Sequence, residues 1–281
     1  KDVPRLLQKA MQHQPNASYA TTAVCERYLA ARDNSLPKAT AMLRASLAWR
    51  AAFGVDDGAL DSRWDHFTTT GASGKVRVSP SRDRAGRPVM VLTPRLERTR
   101  ADHDGNISHL VYELERLHGA REPAAHAAPP RSPGGKAVII VDFRGWSMGN
   151  QPPLRTQRTT LSILQDHYPE RLHMFVALHA PALFYSAYRV IRPFIDPKTR
   201  AKIRFVHGSS AAKELEEIFD LSELEIALGG TLEYEFNAEA YFDADVSHKQ
   251  WRAVQSPSAQ AGGLTAEAPD SPVDESQCAI C

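Results

Sequence analysis

The sequence predicts an α/β fold, a mainly parallel sheet with helices packed on it, preceded by a small helical subdomain. Three observations carry this. Residues 137–206 alternate short apolar runs with segments of helical periodicity, joined by short links, which is the pattern of a parallel sheet. Residues 19–53 place their apolar positions at three-to-four spacing, as packed helices do. Residues 256–281 have no aromatic residue and consist largely of Ser, Pro, Ala, Gly and acids, the composition of a disordered tail.

Taken in order, residues 19–53 read as two helices. Tyr28, Leu29 and Ala30 precede a break at Asp33-Asn34-Ser35, and Pro37 opens the second helix. Ala39, Met42, Leu43, Leu47, Trp49 and Phe53 supply its apolar positions, and Gly54 stops it. A connector through Trp64, Asp65 and Phe67 leads to two β-like runs, 75–78 and 88–92. Between them, Asp83-Arg84-Ala85-Gly86 is hairpin chemistry. Residues 107–117 form an amphipathic helix through Ile107, Leu110, Val111, Leu114 and Leu117. Residues 120–135, rich in Ala and Pro, read as a surface loop. Strands follow at 137–141, 174–178 and 203–206, with helices at 154–167 and 182–195 between them.

Composition limits the function. Among 281 residues, Lys and Arg total 34 and Asp and Glu 33, so there is no basic excess to recruit nucleic acid. The apolar runs fall far short of the roughly 20 residues that a spanning helix needs. Three cysteines, Cys25, Cys278 and Cys281, cannot form a disulfide framework and suit a reducing, cytoplasmic setting.

Catalytic motifs are missing their essential parts. Gly71-Ala72-Ser73-Gly74-Lys75 has the wrong glycine spacing for a phosphate loop, and Val76 stands where a magnesium-binding hydroxyl belongs. Without that loop, Asp142 at the end of an apolar run reads as a turn residue. Gly208-Ser209-Ser210 lacks the spacing of a nucleophile elbow. His167, His173 and His179 are six apart across three elements, so no metal site follows. Glu214, Glu216 and Glu217 fall on a solvated helix face. The expectation is a protein that is not an enzyme and uses no cofactor.

Two segments stand out. The helix over 182–195 is apolar nearly all round, through Leu183, Phe184, Ala187, Tyr188, Val190, Ile191, Phe194 and Ile195. Such a helix is buried, covers an apolar cavity, or meets a membrane surface. The sequence Asp196-Pro197-Lys198-Thr199 then opens another helix, with Thr199 and Lys202 three apart. This reads either as a capped helix with surface cations or as a phosphate site.

The combination resembles the CRAL-TRIO, or Sec14-like, lipid-binding family, from about Cys25 to Phe242. The matching pieces are Arg27-Tyr28-Leu29-Ala30-Ala31-Arg32, Lys38-Ala39-Thr40-Ala41-Met42-Leu43, Trp49-Arg50 and Gly86-Arg87-Pro88-Val89. The pattern continues through Val141-Asp142-Phe143-Arg144-Gly145-Trp146, Tyr168-Pro169-Glu170-Arg171-Leu172, Pro193-Phe194-Ile195-Asp196-Pro197-Lys198-Thr199, Lys202-Ile203 and Leu228-Gly229-Gly230.

The resemblance implies a helical N-terminal subdomain (residues 1–55), a connector (56–73), a lipid-binding domain (74–242) and a C-terminal extension, mostly disordered tail (243–281). It implies an apolar lipid pocket floored by the sheet, at Ala137, Ile139 and Val141. A gate helix would cover it with Leu183, Phe184, Ala187, Tyr188, Ile191 and Phe194. The phosphoinositol headgroup of phosphatidylinositol would meet Arg32, Glu170, Thr199 and Lys202. Members that also carry phosphatidylcholine place hydroxyl groups on the strand and on the helix after it. Ala137, Ile139, Val141 and Leu164 stand here instead, which implies a second, more hydrophobic lipid.

The implied function is transfer of phosphatidylinositol between membranes by a cytoplasmic monomer making transient, peripheral contact with them. The alternative is a lipid-gated scaffold that presents phosphatidylinositol to a kinase or other partner without bulk transfer. The closing Cys278-Ala279-Ile280-Cys281 has a C-a-a-X arrangement, which makes Cys278 a candidate for prenylation.

Overall fold

A computed structural model describes residues 3–56, 58–119, 135–195 and 197–255. Most of the loop expected over 120–135, Asp196, and the tail from 256 with Cys278 lie outside the described residues, as do the side chains of Ala187, Val190, Ile191 and Phe194.

The N-terminal unit is helical: α1 (Val3–Ala10), α2 (Thr22–Ala30) and α3 (Leu36–Phe53). Thr21 caps α2 by accepting a hydrogen bond from the Val24 amide. At the end of α3, Gly54 takes a left-handed φ of 77°, and its amide and that of Val55 both reach the Arg50 carbonyl. Leu7 and Met11 pack with Tyr28, Leu29, Leu43 and Leu47, so α1, which the sequence reading leaves unassigned, completes this core.

The stretch expected as a connector folds into α4 (Trp64–Gly71), packed on α5 (His103–Leu117). Its Thr68-Thr69-Thr70 run is β-branched and a poor helix former, which hides the helix in the sequence. Phe67 stacks on Tyr112 at 4.7 Å and Trp64 meets both rings edge-on; this packing overrides propensity.

Five strands form one sheet in the order β1 (Val76–Arg82), β2 (Pro88–Leu92), β3 (Ala137–Asp142), β4 (Leu172–Leu178) and β5 (Ile203–Val206). The β1–β2 hairpin is antiparallel and the other three pairings are parallel, as the alternating pattern predicts. β1 runs four residues further than expected, its register shifting between Ser79 and Arg82 where exposed Pro80 interrupts the ladder.

The crossovers carry α5 between β2 and β3, α6 (Leu154–His167) between β3 and β4, and α7 (Ala182–Ile191) with α8 (Pro197–Arg200) between β4 and β5. The helix expected over 182–195 ends at Ile191 and tightens into a 3-10 turn over Arg192–Phe194. Pro193 has no amide hydrogen to continue the helical ladder. Beyond the sheet follow α9 (Ala211–Ile218), α10 (Ala238–Asp243) and α11 (Val246–Gln255). On α11, His248 stacks on Trp64 at 3.4 Å with Nδ1 3.2 Å from Asp61 Oδ1, so this helix is tied to α4.

Strand register divides the sheet into two unequal faces. One carries Val89, Val91, Val138, Ile140, Val176, Leu178 and Val206, all at 1% exposure or less, closed by Leu215, Phe219, Leu224 and Leu228. The other presents two rows, Val78-Met90-Ile139-Phe175-Ile203 and Val76-Leu92-Val141-Ala177-Phe205. Neither row holds a polar side chain. Val76, Val78, Leu92, Ile139, Phe175, Ile203 and Phe205 in these rows are only partly covered.

Candidate functional site

The partly covered face lies under α7. Phe184 packs on Phe143 at 4.1 Å between ring centroids and meets Trp146 edge-on at 6.2 Å, while Tyr188 meets Phe205 at 5.7 Å. Leu183 points away and is 56% exposed. Of the expected floor residues, Ala137 packs in the cluster formed by α5 and α6, Val141 in the cluster that includes Phe184, and half-buried Ile139 belongs to both. α7 thus bridges the C-terminal end of β4 and, through α8, the N-terminal end of β5.

At the N-terminal ends of the parallel strands, three charged residues converge. Lys136 directly precedes β3, Glu170 lies two residues before β4, and Lys202 directly precedes β5. Both Lys136 Nζ and Lys202 Nζ stand 3.6 Å from Glu170 Oε2. Glu170 has a left-handed φ of 55°, uncommon for a residue with a Cβ. The Lys202 carbonyl accepts from the Phe175 amide at 3.0 Å, which fixes its backbone to the sheet.

Thr199 sits in the single turn of α8 and its carbonyl accepts from the Lys202 amide at 3.0 Å. The helix that the sequence opens at Pro197 is therefore one turn long, too short for much of a dipole. Arg32 lies in the turn between α2 and α3, where its Nη1 donates to the neighbouring Ala31 carbonyl at 3.1 Å. The adjacent Asp33 accepts from Lys198 Nζ at 2.7 Å, which brings that turn against α8. This pair is exposed and contributes little stability, but it joins the two segments that carry Arg32 and Thr199.

Glu170 and Lys202 are thus in contact, Thr199 follows through the backbone, and Arg32 is placed by its turn. Lys136 is the member that sequence reasoning misses. Its signal is positional: it directly precedes the strand that lies beside β4, which only the strand order reveals.

At the opposite end of β3, Asp142 organises the loop that receives α7. Its carboxylate accepts from Arg95 Nη1 at 2.6 Å, Arg144 Nε at 2.9 Å and the Arg144 amide at 3.1 Å, and Arg144 also donates to the Ala227 carbonyl. Burial pushes its pKa up, but the hydrogen bonds from Arg144 and Arg95 outweigh burial and hold it below the usual carboxylate range. A depressed folded-state value contributes stability above the unfolded value of about 3.9 and loses it as the pH falls through the folded value. Asp142→Asn is therefore expected to lower the unfolding free energy by about 2 kcal/mol at neutral pH. The gap to wild type should close on acidification below about pH 4, which urea unfolding across a pH series measures. A gap independent of pH would contradict this role.

A separate groove of about 640 Å³ opens between α4, α10 and α11, lined by Trp64, Thr68, Phe242 and His248 among others. None of the expected site residues lines it. The apolar sheet face and its charged end have the chemistry of an amphiphile site, and this groove does not.

Among the described residues there is no cluster that could hold a metal ion, and no helix is long and apolar enough to cross a membrane. The chain is 27% identical over 224 residues to phosphatidylinositol transfer protein PDR17 of Saccharomyces cerevisiae, covering 77% of this chain and 59% of that one. It is 30% identical over 218 residues to the SEC14 cytosolic factor of Kluyveromyces lactis, covering 74% and 70%. A CRAL-TRIO domain-containing protein of Schizosaccharomyces pombe is 29% identical over 216 residues, 77% of this chain but 19% of its own. The chain thus spans between a fifth and three fifths of the length of two of these relatives. The crystal structure of Sfh5 shares the fold, with a TM-score of 0.56 at 15% identity over 84% of this chain and 83% of that one. The CRAL/TRIO domain model matches residues 72–230, more than half of the chain, from just before β1 to the glycine pair after Leu228, and the chain belongs to that family.

Proposed function

We propose that this chain is a non-enzymatic phosphatidylinositol-binding and transfer protein. The observation that carries this reading is the apolar, partly covered sheet face under α7 with a Lys-Glu-Lys group at one end. Relatives named as phosphatidylinositol transfer proteins support the lipid class.

Moving two acyl chains from a bilayer into water costs about 0.8 kcal/mol per methylene, so exchange through water is slow. The rows Ile139-Phe175-Ile203 and Leu92-Val141-Ala177-Phe205 offset that cost during transit by replacing water with hydrocarbon. α7 acts as the gate, and exposed Leu183 gives it a transient contact with the membrane surface. At the charged end, Lys202 and Arg32 complement the phosphodiester, while Glu170 and Thr199 bind inositol hydroxyls or orient the cations. The headgroup contacts supply selectivity, and the chains supply most of the binding energy. Because neither sheet row holds a hydroxyl, the second ligand is a more hydrophobic lipid than phosphatidylcholine. The protein works as a monomer, at the periphery of the membranes it visits.

Transfer of labelled phosphatidylinositol between vesicles tests the reading. The wild type is expected to exchange lipid over many turnovers, and a Thr199→Asp, Lys202→Ala double variant to fall to background. A wild-type rate no higher than the variant's would sink it.

A further inference from the structure

Beside the Lys136–Glu170–Lys202 group, the same stretch of chain gathers a second set of charges. Arg171 Nη1 donates to the Gly135 carbonyl at 3.0 Å. A Cβ built on Gly135 would stand 2.7 Å from Arg171 Nη1 and 3.7 Å from Arg27 Nη1, so two guanidinium groups crowd one point in space. Arg27 comes from α2 and Arg171 from the residue before β4, and Arg27 Nη1 donates to the Ala23 carbonyl at 3.2 Å.

Among the described residues, no carboxylate lies in ion-pair range of either arginine. Glu115, the carboxylate whose field reaches Arg171, already accepts from Arg50 at 3.0 and 3.1 Å and from Tyr168 Oη at 2.6 Å. Nearby, His118 Nε2 is buried with no hydrogen-bond partner among the described residues. Burial, then Arg171 and Arg27, holds this imidazole well below its ordinary pKa, and burial, then Arg27, lowers Arg171. Two close cations and an unsatisfied ring nitrogen are each unfavourable alone, and a doubly charged anion among them relieves all three. The planar fork of arginine suits phosphate oxygens.

We propose that Arg27, Arg171 and His118 form an anion subsite for a phosphate dianion, distinct from the Lys136–Glu170–Lys202 group. The shared chemistry is a phosphate dianion, either free in solution or carried on the ring of an inositol lipid at the membrane. The subsite stands apart from the transfer reading, and only its lipid-borne form draws on it.

The full chain, stripped of lipid, is titrated with inorganic phosphate by calorimetry. In parallel it is bound to phosphatidylcholine vesicles doped either with phosphatidylinositol or with the same lipid carrying one ring phosphate. A free-phosphate site gives saturable phosphate binding and equal affinity for the two vesicle types. A lipid-borne site gives stronger binding to the ring-phosphorylated vesicles. In either case Arg27→Gln and Arg171→Gln are expected to weaken the response roughly tenfold, with Arg27→Lys retaining more of it.

Thermal unfolding checks that the variants fold. Anion binding should also raise the pH at which His118 titrates, against the fields of Arg171 and Arg27 and with the Tyr168 ring stacked beside it. NMR reads this, and a merely structural arginine pair would not produce it. Absence of both phosphate responses in the wild type, or equal responses in wild type and Arg27→Gln, overturns the proposal. Failure of the transfer reading shows instead as absence of wild-type exchange of unphosphorylated phosphatidylinositol.

Discussion

Arg50→Ala is expected to lower the unfolding free energy by about 3–5 kcal/mol, the cost of leaving a buried charge without its partner. Arg50 projects from α3 with its side chain 3% exposed. Its Nε donates to Asp56 Oδ2 at 2.8 Å, its Nη1 and Nη2 hold both oxygens of Glu115 on α5, and its guanidinium lies 3.9 Å over the Tyr19 ring. Burial disfavours its charge, but the bonds it donates to Asp56 and Glu115 more than compensate and raise its pKa above the ordinary arginine value. Without Arg50, Glu115 keeps only the Tyr168 hydroxyl in an environment where its side chain is 12% exposed. Arg50→Lys keeps the charge but loses the planar fork, so an intermediate loss is expected. Exposed Arg44, two turns earlier on α3, serves as the control, and Arg44→Ala should change stability by less than about 0.5 kcal/mol. Urea unfolding measures all three, and an Arg50→Ala loss no larger than the control's would show that this bridge does not hold α3 to α5.

A loss of similar size, about 3–5 kcal/mol, is expected for Glu225→Ala. Glu225 is fully buried, accepting from Arg77 Nη2 and from Ser79 Oγ, both at 2.5 Å, while its amide donates to Ser81 Oγ. Arg77 lies on β1 with its side chain 9% exposed, so removing the carboxylate strands a cation beneath the sheet. The double variant Arg77→Met, Glu225→Met removes both charges and is expected to recover most of the loss. A double variant no more stable than Glu225→Ala would assign the loss to packing and not to the unpaired charge. Glu225 begins the turn through Leu228 that closes one sheet face and offers the Ala227 carbonyl to Arg144, so this pair also holds the Asp142 loop in place.

How much of this was legible in the sequence follows from what each residue reports about itself. β3 is readable because a central strand of a parallel sheet needs a continuous apolar run, and residues 137–141 supply one. α4 was not, since its Thr run argues against a helix and its stability comes from Tyr112 and Phe242, distant in the chain. α7 was legible in composition but not in length, because Pro193 acts on a helix that was already apolar at either end. Thr199 and Lys202 stand out by their spacing after Pro197, whereas Arg32 and Glu170 come from the resemblance alone. Residues 170 and 202 meet only because β4 and β5 are neighbours, and Lys136 joins them for the same reason. The Arg27–Arg171 pair had no local signature at all, since its members come from α2 and from the approach to β4.

The crossover that carries α7 also limits how the proposed gate can travel. Only residues 179–181 join its start to the last residue of β4, and the His179 amide is bonded to the Val206 carbonyl at 2.9 Å. Three residues reach at most about 11 Å, so that end is a hinge with little slack. Between Ile191 and β5 lie eleven more residues, including the single turn of α8 and the exposed Lys198–Asp33 contact. A helix held short at one end and long at the other would open as a hatch and not as a sliding door. Its longer tether runs through α8 to Lys202, so the proposed gate would swing about its β4 end.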